Sequence, residues 1–465
     1  MNKHLVRNKL TKINITTLGC PKNVVDSGHL ARRFASEGFV HVDDANDADI
    51  ILVNTCGFIR DAKEESIEEI LRLARMKGKR AKIIVFGCLA QRYRDELLKE
   101  IPEIDAIFGV GEDSNIIEYC KDLAIGYRRE AIGNTKMPVA HRPSPIASSY
   151  AYLKIAEGCD KKCTFCVIPS IRGKFRSIPP EQILREAEEY IQKGIRELIL
   201  VAQDITNYGK ELKGYTLVSL LKDLASIDGD FRIRLLYLYP TEISNELLEF
   251  IATEDKIQKY LDIPLQHSED KILRLMGRRG SRKEYIKLIR NLRRTIPGVA
   301  LRTTFIVGFP GETEEDFHGL VDFIEEIRFD RLGVFKYSKE EGTPSSTIKG
   351  QVPEKTKDRR LDEMMQRQAA ISLEKNRELV GKKYEAIIDE IDGDIAIARL
   401  YSHAPEIDGV VIIEVGTKHY AVSSRKNNEQ KVPTAYSLLP TVKVGDLVTV
   451  EIVDAFDYDL KGVIL

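Results

Sequence analysis

Up to about Leu123 the chain alternates short apolar, β-branched runs with longer stretches of helical periodicity. Ile13–Leu18, Ile50–Val53, Ile83–Phe86 and Ala106–Val110 predict strands, and Ser27–Glu37, Asp61–Met76, Gln91–Glu100 and Ser114–Leu123 predict the helices between them. Such alternation predicts a parallel sheet with crossover helices. Periodicity fades over 124–149, where Pro138, Pro143 and Pro145 read as a linker. A second alternating region follows, with strands expected at Tyr152–Ala156, Glu197–Val201, Arg232–Leu236, Tyr260–Ile263, Leu301–Val307 and Leu332–Tyr337. Helical patterns at Pro180–Lys193, Ser281–Arg294 and Glu314–Ile327 lie among them. Six β/α units in so short a stretch suit a partial barrel better than a closed eight-unit one, while an open sheet satisfies the same pattern. A charged helix is expected over Pro353–Val380. Beyond it Tyr384–Ile391, Ile395–Leu400, Val410–Val415 and Leu447–Val453 predict a small all-β barrel or sandwich.

Composition narrows the class. The chain has 465 residues, 43% hydrophobic and 31% charged, a balance that excludes disorder and membrane-embedded classes. Lys plus Arg number 71 against 72 Asp plus Glu, so the whole surface is not built to hold nucleic acid. The first twenty residues are basic but lack an apolar run of signal length, and the expected location is cytoplasmic. Seven cysteines, an odd number in a large intracellular chain, argue against a disulfide framework.

Spacing decides what the cysteines do. Cys159, Cys163 and Cys166 form a CxxxCxxC loop just after the apolar run Tyr152–Ala156. Three thiolates this close can each take one iron of a 4Fe–4S cube and leave the fourth iron open, ready for a substrate or cofactor. A zinc site is the competing reading, but it needs a fourth Cys or His at short range, and no histidine follows Cys166 until His267. Cys20, Cys56 and Cys88 each follow an apolar run, in TTLGC, LVNTC and VFGC. In a parallel sheet all three project from the same carboxyl edge, where open α/β sheets place ligands. Singly, each reads as a small buried residue; as a set they read as a second three-thiolate site. Cys120, on an expected helix, reads as packing.

CxxxCxxC with Phe165 before the last cysteine resembles the signature of the radical S-adenosylmethionine (SAM) enzymes. Three earlier cysteines in an α/β domain and a small C-terminal β-domain resemble the methylthiotransferases among them, in the branch that modifies a ribosomal protein. The resemblance rests on Gly19-Cys20-Pro21-Lys22-Asn23, Val53-Asn54-Thr55-Cys56-Gly57-Phe58-Ile59, Ala156-Glu157-Gly158-Cys159, Arg234-Leu235-Leu236-Tyr237-Leu238-Tyr239-Pro240, Asp262-Ile263-Pro264-Leu265-Gln266-His267 and Val307-Gly308-Phe309-Pro310-Gly311-Glu312-Thr313. Relatives that modify tRNA usually read Gly-Cys-Gln-Met-Asn where this chain has Gly-Cys-Pro-Lys-Asn. Ile178 stands where the family often has Arg, a departure that touches no expected ligand. The resemblance implies an N-terminal methylthiotransferase domain over 11–125, a linker over 126–148, a radical SAM core over 149–378 and a TRAM-like domain for substrate binding over 379–465.

The resemblance also implies a reaction, in which a methylthio group is installed on the β-carbon of an aspartate in small-subunit ribosomal protein S12. Side-chain bases reach only a few pKa units and do not deprotonate such a carbon, whereas a cofactor-derived radical takes its hydrogen. It implies a 4Fe–4S cluster on Cys159, Cys163 and Cys166 that binds and cleaves SAM. A second 4Fe–4S cluster on Cys20, Cys56 and Cys88 is implied to carry the sulfur. Two SAM per turnover, an external sulfur source and a reductant such as flavodoxin or ferredoxin complete the set. Gln203, Asp204, Arg302, Gly308 and Phe165 are the candidate SAM contacts; the plainer readings are barrel polarity for the first four and an apolar plug for Phe165.

Charge bears on the substrate. From 381 to 465 nine Lys/Arg face fourteen Asp/Glu, a net of −5, which repels phosphate backbones and attracts a basic protein. Lys161, Lys162, Arg172, Lys174 and Arg176 surround the cysteine loop and suit either an anionic partner or a solvated loop. Two other functions are weighed: a tRNA adenosine methylthiotransferase, and a non-catalytic iron–sulfur electron carrier or zinc-binding protein.

Overall fold

The computed structural model describes residues 10–78, 80–130, 148–415 and 441–465. Strands β1 (Lys12–Thr17), β2 (Val40–His41), β3 (Ile50–Thr55), β4 (Lys82–Gly87) and β5 (Ala106–Phe108) form one sheet in the order β2-β1-β3-β4-β5. Every pairing is parallel. β3 is buried at all six positions because helices cover both faces, as parallel sheets require. On one face Leu30, Phe34, Ile116, Ile117 and the fully buried Cys120 pack against Ile50, Leu52 and Ile84. On the other Ile70, Leu73 and Leu97 pack against Ile51, Val53, Ile83 and Val85.

Three helical expectations shift. The first helix spans Pro21–Ser36 and so begins well before Ser27; proline at its start loses no hydrogen bond there and brings a preset φ. The stretch expected at Gln91–Glu100 is two helices, Cys88–Arg92 and Arg94–Glu100, broken at Tyr93. The helix Asp113–Glu130 runs beyond Leu123 and into the expected linker, whose residues 131–147 lie outside the described residues.

The central region contains β6 (Tyr150–Lys154), β7 (Ala156–Glu157), β8 (Arg176–Ser177), β9 (Glu197–Val201), β10 (Arg232–Leu235), β11 (Ile257–Asp262), β12 (Ala300–Val307) and β13 (Arg331–Lys336). Six of these pair in the sequential order β6-β9-β10-β11-β12-β13, all parallel, while β7 and β8 form a separate antiparallel pair. This is the partial (β/α)6 barrel, and its carboxyl edge carries the loops that bind ligands. Glu354–Arg377, the charged helix, lies along its last strands, with Gln368 Nε2 donating to Phe329 O at 3.0 Å and Arg360 paired with Glu312 at 2.8 Å.

β14 (Lys383–Asp392), β15 (Ile395–Leu400), β16 (Val411–Glu414), β17 (Leu447–Ala455) and β18 (Leu460–Ile464) close into a small barrel. Closure removes the exposed edges an open sheet leaves. It docks where the core strands begin: Glu197, first residue of β9, is fully buried between Arg234 (2.8 Å) and Arg399 (2.6 Å). Asp408 accepts a hydrogen bond from Tyr260 at 2.7 Å. The opposite, carboxyl edge of the core is left for the N-terminal domain. No helix among the described residues is long and apolar enough to cross a membrane.

Candidate active site

The first cysteine trio is built by three strand ends. Cys20 follows β1 and precedes the helix Pro21–Ser36, Cys56 follows β3, and Cys88 follows β4. Gly19 sits at φ 90°, where a Cβ would lie 2.7 Å from the Cys56 Cβ; only glycine lets the two loops approach this closely. Asn23 Nδ2 donates to Leu18 O at 2.8 Å, and Asn54 Nδ2 donates to Asn23 O at 2.9 Å. The Cys56 N–H donates to Ser66 Oγ at 3.0 Å and Thr55 Oγ1 to Phe86 O at 2.7 Å. These bonds tie the strand ends into one rigid edge.

The second trio lies in one loop after β7. The Cys159 N–H donates to Gly173 O at 3.1 Å, and the Thr164 N–H to Met276 O at 2.9 Å. Phe165 packs edge-on against Phe309, with centroids 6.4 Å apart. Arg278 reaches Cys163 Sγ at 4.0 Å while donating to Pro264 O at 2.5 Å.

Both trios line one cavity of about 390 Å³ between the N-terminal domain and the carboxyl edge of the core, together with Lys22, Lys161, Phe165, Arg172, Gln203, Asp204, Tyr237, Tyr239, Gln266 and Arg278. Tyr237 (φ 64°) and Gln266 (φ 73°) are two of four non-glycine residues held in left-handed backbone among the described residues. Strain of this kind persists where surrounding structure enforces it, and it clusters at functional sites.

The thiols differ in electrostatics. Burial pushes Cys20 up, but Lys22 and Arg172 outweigh it and leave the thiol below its ordinary value. Burial raises Cys56 to about 11 and Cys166 to about 12, and it raises Cys88 as well. Burial also raises Cys159. Thiols this buried gain their charge by binding a metal, which deprotonates them outright.

A network fixes the cavity wall. Arg172 donates to Asn23 Oδ1 (2.7 Å) and Glu157 (2.9 Å), and Lys154 bonds Glu157 (2.7 Å) and Asp26. Glu157 falls to about 2 because Lys154 and Arg172 overcome the effect of burial. It accepts from Gln203 Nε2 at 3.2 Å, leaving Gln203 Oε1 buried without a partner. Asp204 accepts from the Thr206 N–H at 3.0 Å and stands 3.5 Å from Lys161.

The site residues expected from sequence are thus unequal. All six cysteines, Phe165, Gln203 and Asp204 reach the cavity. Arg302 and Gly308 do not line it. Arg302 pairs with Asp262 at 3.1 Å and Asp408 at 3.5 Å, an internal lock between core and small barrel. Gly308 leaves room for the Lys357 side chain. Of the basic cluster, Lys161 and Arg172 turn to the cavity, whereas Lys162, Lys174 and Arg176 are exposed. Tyr237, Tyr239 and Gln266 lie in quoted motifs, yet their inward placement depends on turns that periodicity does not reveal; Arg278 has no local signal.

The donor set is six thiols in two trios, the ligand chemistry that iron–sulfur clusters take. All six thiols are free, and no three His, Cys, Asp or Glu among the described residues converge on a single-ion site.

Comparison with known proteins agrees. Residues 12–109 match uncharacterized protein family UPF0004, 153–324 the Radical SAM superfamily and 380–465 the TRAM domain. The chain is 58% identical to the ribosomal protein uS12 methylthiotransferase RimO of Thermodesulfovibrio yellowstonii, over 98% of this chain and 100% of that one. It is 44% identical to the protein of that name from Thermoanaerobacter sp., over 97% and 100%. The radical S-adenosylmethionine methyltransferase TsrM from Kitasatospora setae, solved with cobalamin and a [4Fe-4S] cluster bound, is 15% identical. It shares the fold at a TM-score of 0.53, over 72% of this chain and 77% of that one. With three domain matches in order and full-length relatives far above chance identity, the chain belongs to the ribosomal protein uS12 methylthiotransferase (RimO) family of radical SAM enzymes.

Proposed function

We propose that the protein places a methylthio group on the β-carbon of an aspartate in ribosomal protein S12, using SAM and two 4Fe–4S clusters. The observation that carries the reading is the meeting of both cysteine trios at one cavity of about 390 Å³. A cluster held by Cys159, Cys163 and Cys166 would supply an open iron and, once reduced by an external donor, the electron that cleaves SAM; one held by Cys20, Cys56 and Cys88 would supply the sulfur.

The chain's own residues position these parts. Gln203, oriented by its bond to Glu157, offers an unpaired acceptor to the SAM amino group. Phe165, backed by the buried Phe309, gives the cavity an apolar wall that excludes water. Arg172 holds the loop after β7 to Asn23, and so keeps the two trios in register. The net charge of −5 over 381–465 favours a basic protein over tRNA as the substrate.

Anaerobically reconstituted protein is expected to hold about eight irons, four for each cube. It is expected to release deoxyadenosine with SAM and a reductant, and to leave a methylthio adduct on S12 found by mass analysis. A methylthio adduct on tRNA nucleosides, with S12 unchanged, overturns the substrate assignment.

A further inference from the structure

Two lysines occupy matching places. Lys22 follows Cys20 by two residues and its ammonium lies 4.1 Å above the Tyr237 ring; Lys161 follows Cys159 by two and lies 4.1 Å above the Tyr239 ring. Their electrostatic partners differ. Lys161 has Glu242 at 2.9 Å and Asp204 at 3.5 Å. Lys22 is only 7% exposed and lines the cavity; among the described residues no Asp or Glu pairs with it, and the group that most favours its charge is the Cys20 thiol. Nearby acids are already committed: Glu157 to Lys154 and Arg172, Asp26 to the same two.

A buried cation that faces a cavity and has no carboxylate partner of its own can take one from a ligand, as a charge-assisted hydrogen bond. Resting on the methylthiotransferase reading above, we propose that Lys22 on the Tyr237 ring is a carboxylate subsite that binds the acidic side chain of the protein substrate. A carboxylate there receives a charge-assisted hydrogen bond, while the aromatic ring holds the ammonium in place from behind. The acidic side chain thereby enters beside Cys20, with its β-carbon facing the cavity. SAM brings a carboxylate of its own, but on the same reading it would be held at the Cys159, Cys163 and Cys166 trio, where Lys161 and Arg278 stand.

The test uses full-length reconstituted wild type, Lys22→Met and Lys22→Arg. Fluorescence anisotropy compares a peptide spanning the S12 target aspartate with the same peptide carrying asparagine, and SAM affinity and iron content are measured alongside. Wild type is expected to prefer the aspartate peptide by about tenfold or more. Lys22→Met is expected to lose that preference by weakening the aspartate peptide alone, and Lys22→Arg to restore most of it. The proposal is overturned by a wild type without preference, by Lys22→Met that keeps it, or by equal weakening of both peptides. It is equally overturned by a loss of SAM affinity or iron with the peptide preference intact, which makes Lys22 a partner of SAM or of the cysteine trio. Should wild type prefer the aspartate peptide but leave no methylthio product, the functional reading fails while the subsite stands.

Discussion

The two cysteine trios reach the same cavity by opposite routes. Cys159, Cys163 and Cys166 lie within one loop, so eight consecutive residues carry the whole donor set. Cys20, Cys56 and Cys88 come from the ends of three parallel strands, so the donor set exists only once β1, β3 and β4 are paired. A loop site depends on local backbone, here on bonds such as Cys166 N–H to Cys163 O at 3.2 Å. A sheet-edge site depends on the sheet and on the glycine that lets neighbouring ends touch. The difference teaches that damage to the N-terminal fold should remove one donor set and spare the other.

The largest effect comes from deleting either trio. Replacing Cys159, Cys163 and Cys166 by alanine is expected to abolish deoxyadenosine release altogether. Replacing Cys20, Cys56 and Cys88 is expected to leave that release and abolish only methylthio transfer. Each variant should retain about four irons. An early-trio variant that keeps its four irons but no longer cleaves SAM breaks the division of labour.

Next in size is Arg172→Met. Its side chain is buried between Asp26, Glu157 and Asn23, and removing one partner of a buried ionic network costs about 3–5 kcal/mol. Thermal unfolding should show the loss, with both half-reactions impaired because this residue spans both trios. A more selective break is Gly19→Ala. Its Cβ would press on Cys56 at 2.7 Å and its φ of 90° disfavours a side chain, a strain of about 1–3 kcal/mol. Iron content should fall toward the later trio's share while SAM cleavage persists; equal loss from both trios contradicts the comparison.

The smallest effect concerns how the two regions are held together. Glu186 on the core helix Pro180–Gln192 pairs with Arg32 at 2.6 Å and His29 at 2.7 Å on the helix that begins after Cys20. Burial raises the Glu186 carboxyl, but His29, Arg32 and Tyr190 outweigh it and hold the group below its ordinary 4.5. A carboxylate lowered by folding stabilises fully above that ordinary value, and the contribution is lost as pH falls through the lowered one. Glu186→Gln is therefore expected to lower stability by about 1 kcal/mol near neutral pH. The gap from wild type should shrink in unfolding scans below pH about 4, and a gap independent of pH excludes the ion pair as its source.

Much of the architecture was legible because its periods are strong. Fully buried β3 reads as an apolar run, and the sequential order of the core follows from strand and helix in turn. The short pieces were not legible: β2, β7 and β8 have two residues each, too few to show a period. The helix Leu217–Ser226 does not stand out in the sequence, because its capping box of Thr216 and Ser219 lacks the usual acidic partner. Arg302 and Gly308, on a late core strand and just beyond it, suit cofactor contacts by position; in the structure Arg302 pairs with Asp408 and Gly308 adjoins the Lys357 side chain, both distant in sequence.

By itself the sequence determined the chemistry on offer: three thiols in one loop, three more after apolar runs, and an acidic final module. Spacing and periodicity are local, and these features are written locally. Only the tertiary structure decided that the six thiols share a cavity, that Arg172 turns inward while Lys174 faces solvent, and that Lys22 rather than Lys161 is left without a carboxylate partner. Those outcomes depend on which distant side chains the fold brings to each cation, and ion pairing over long sequence separation leaves no trace in composition or period.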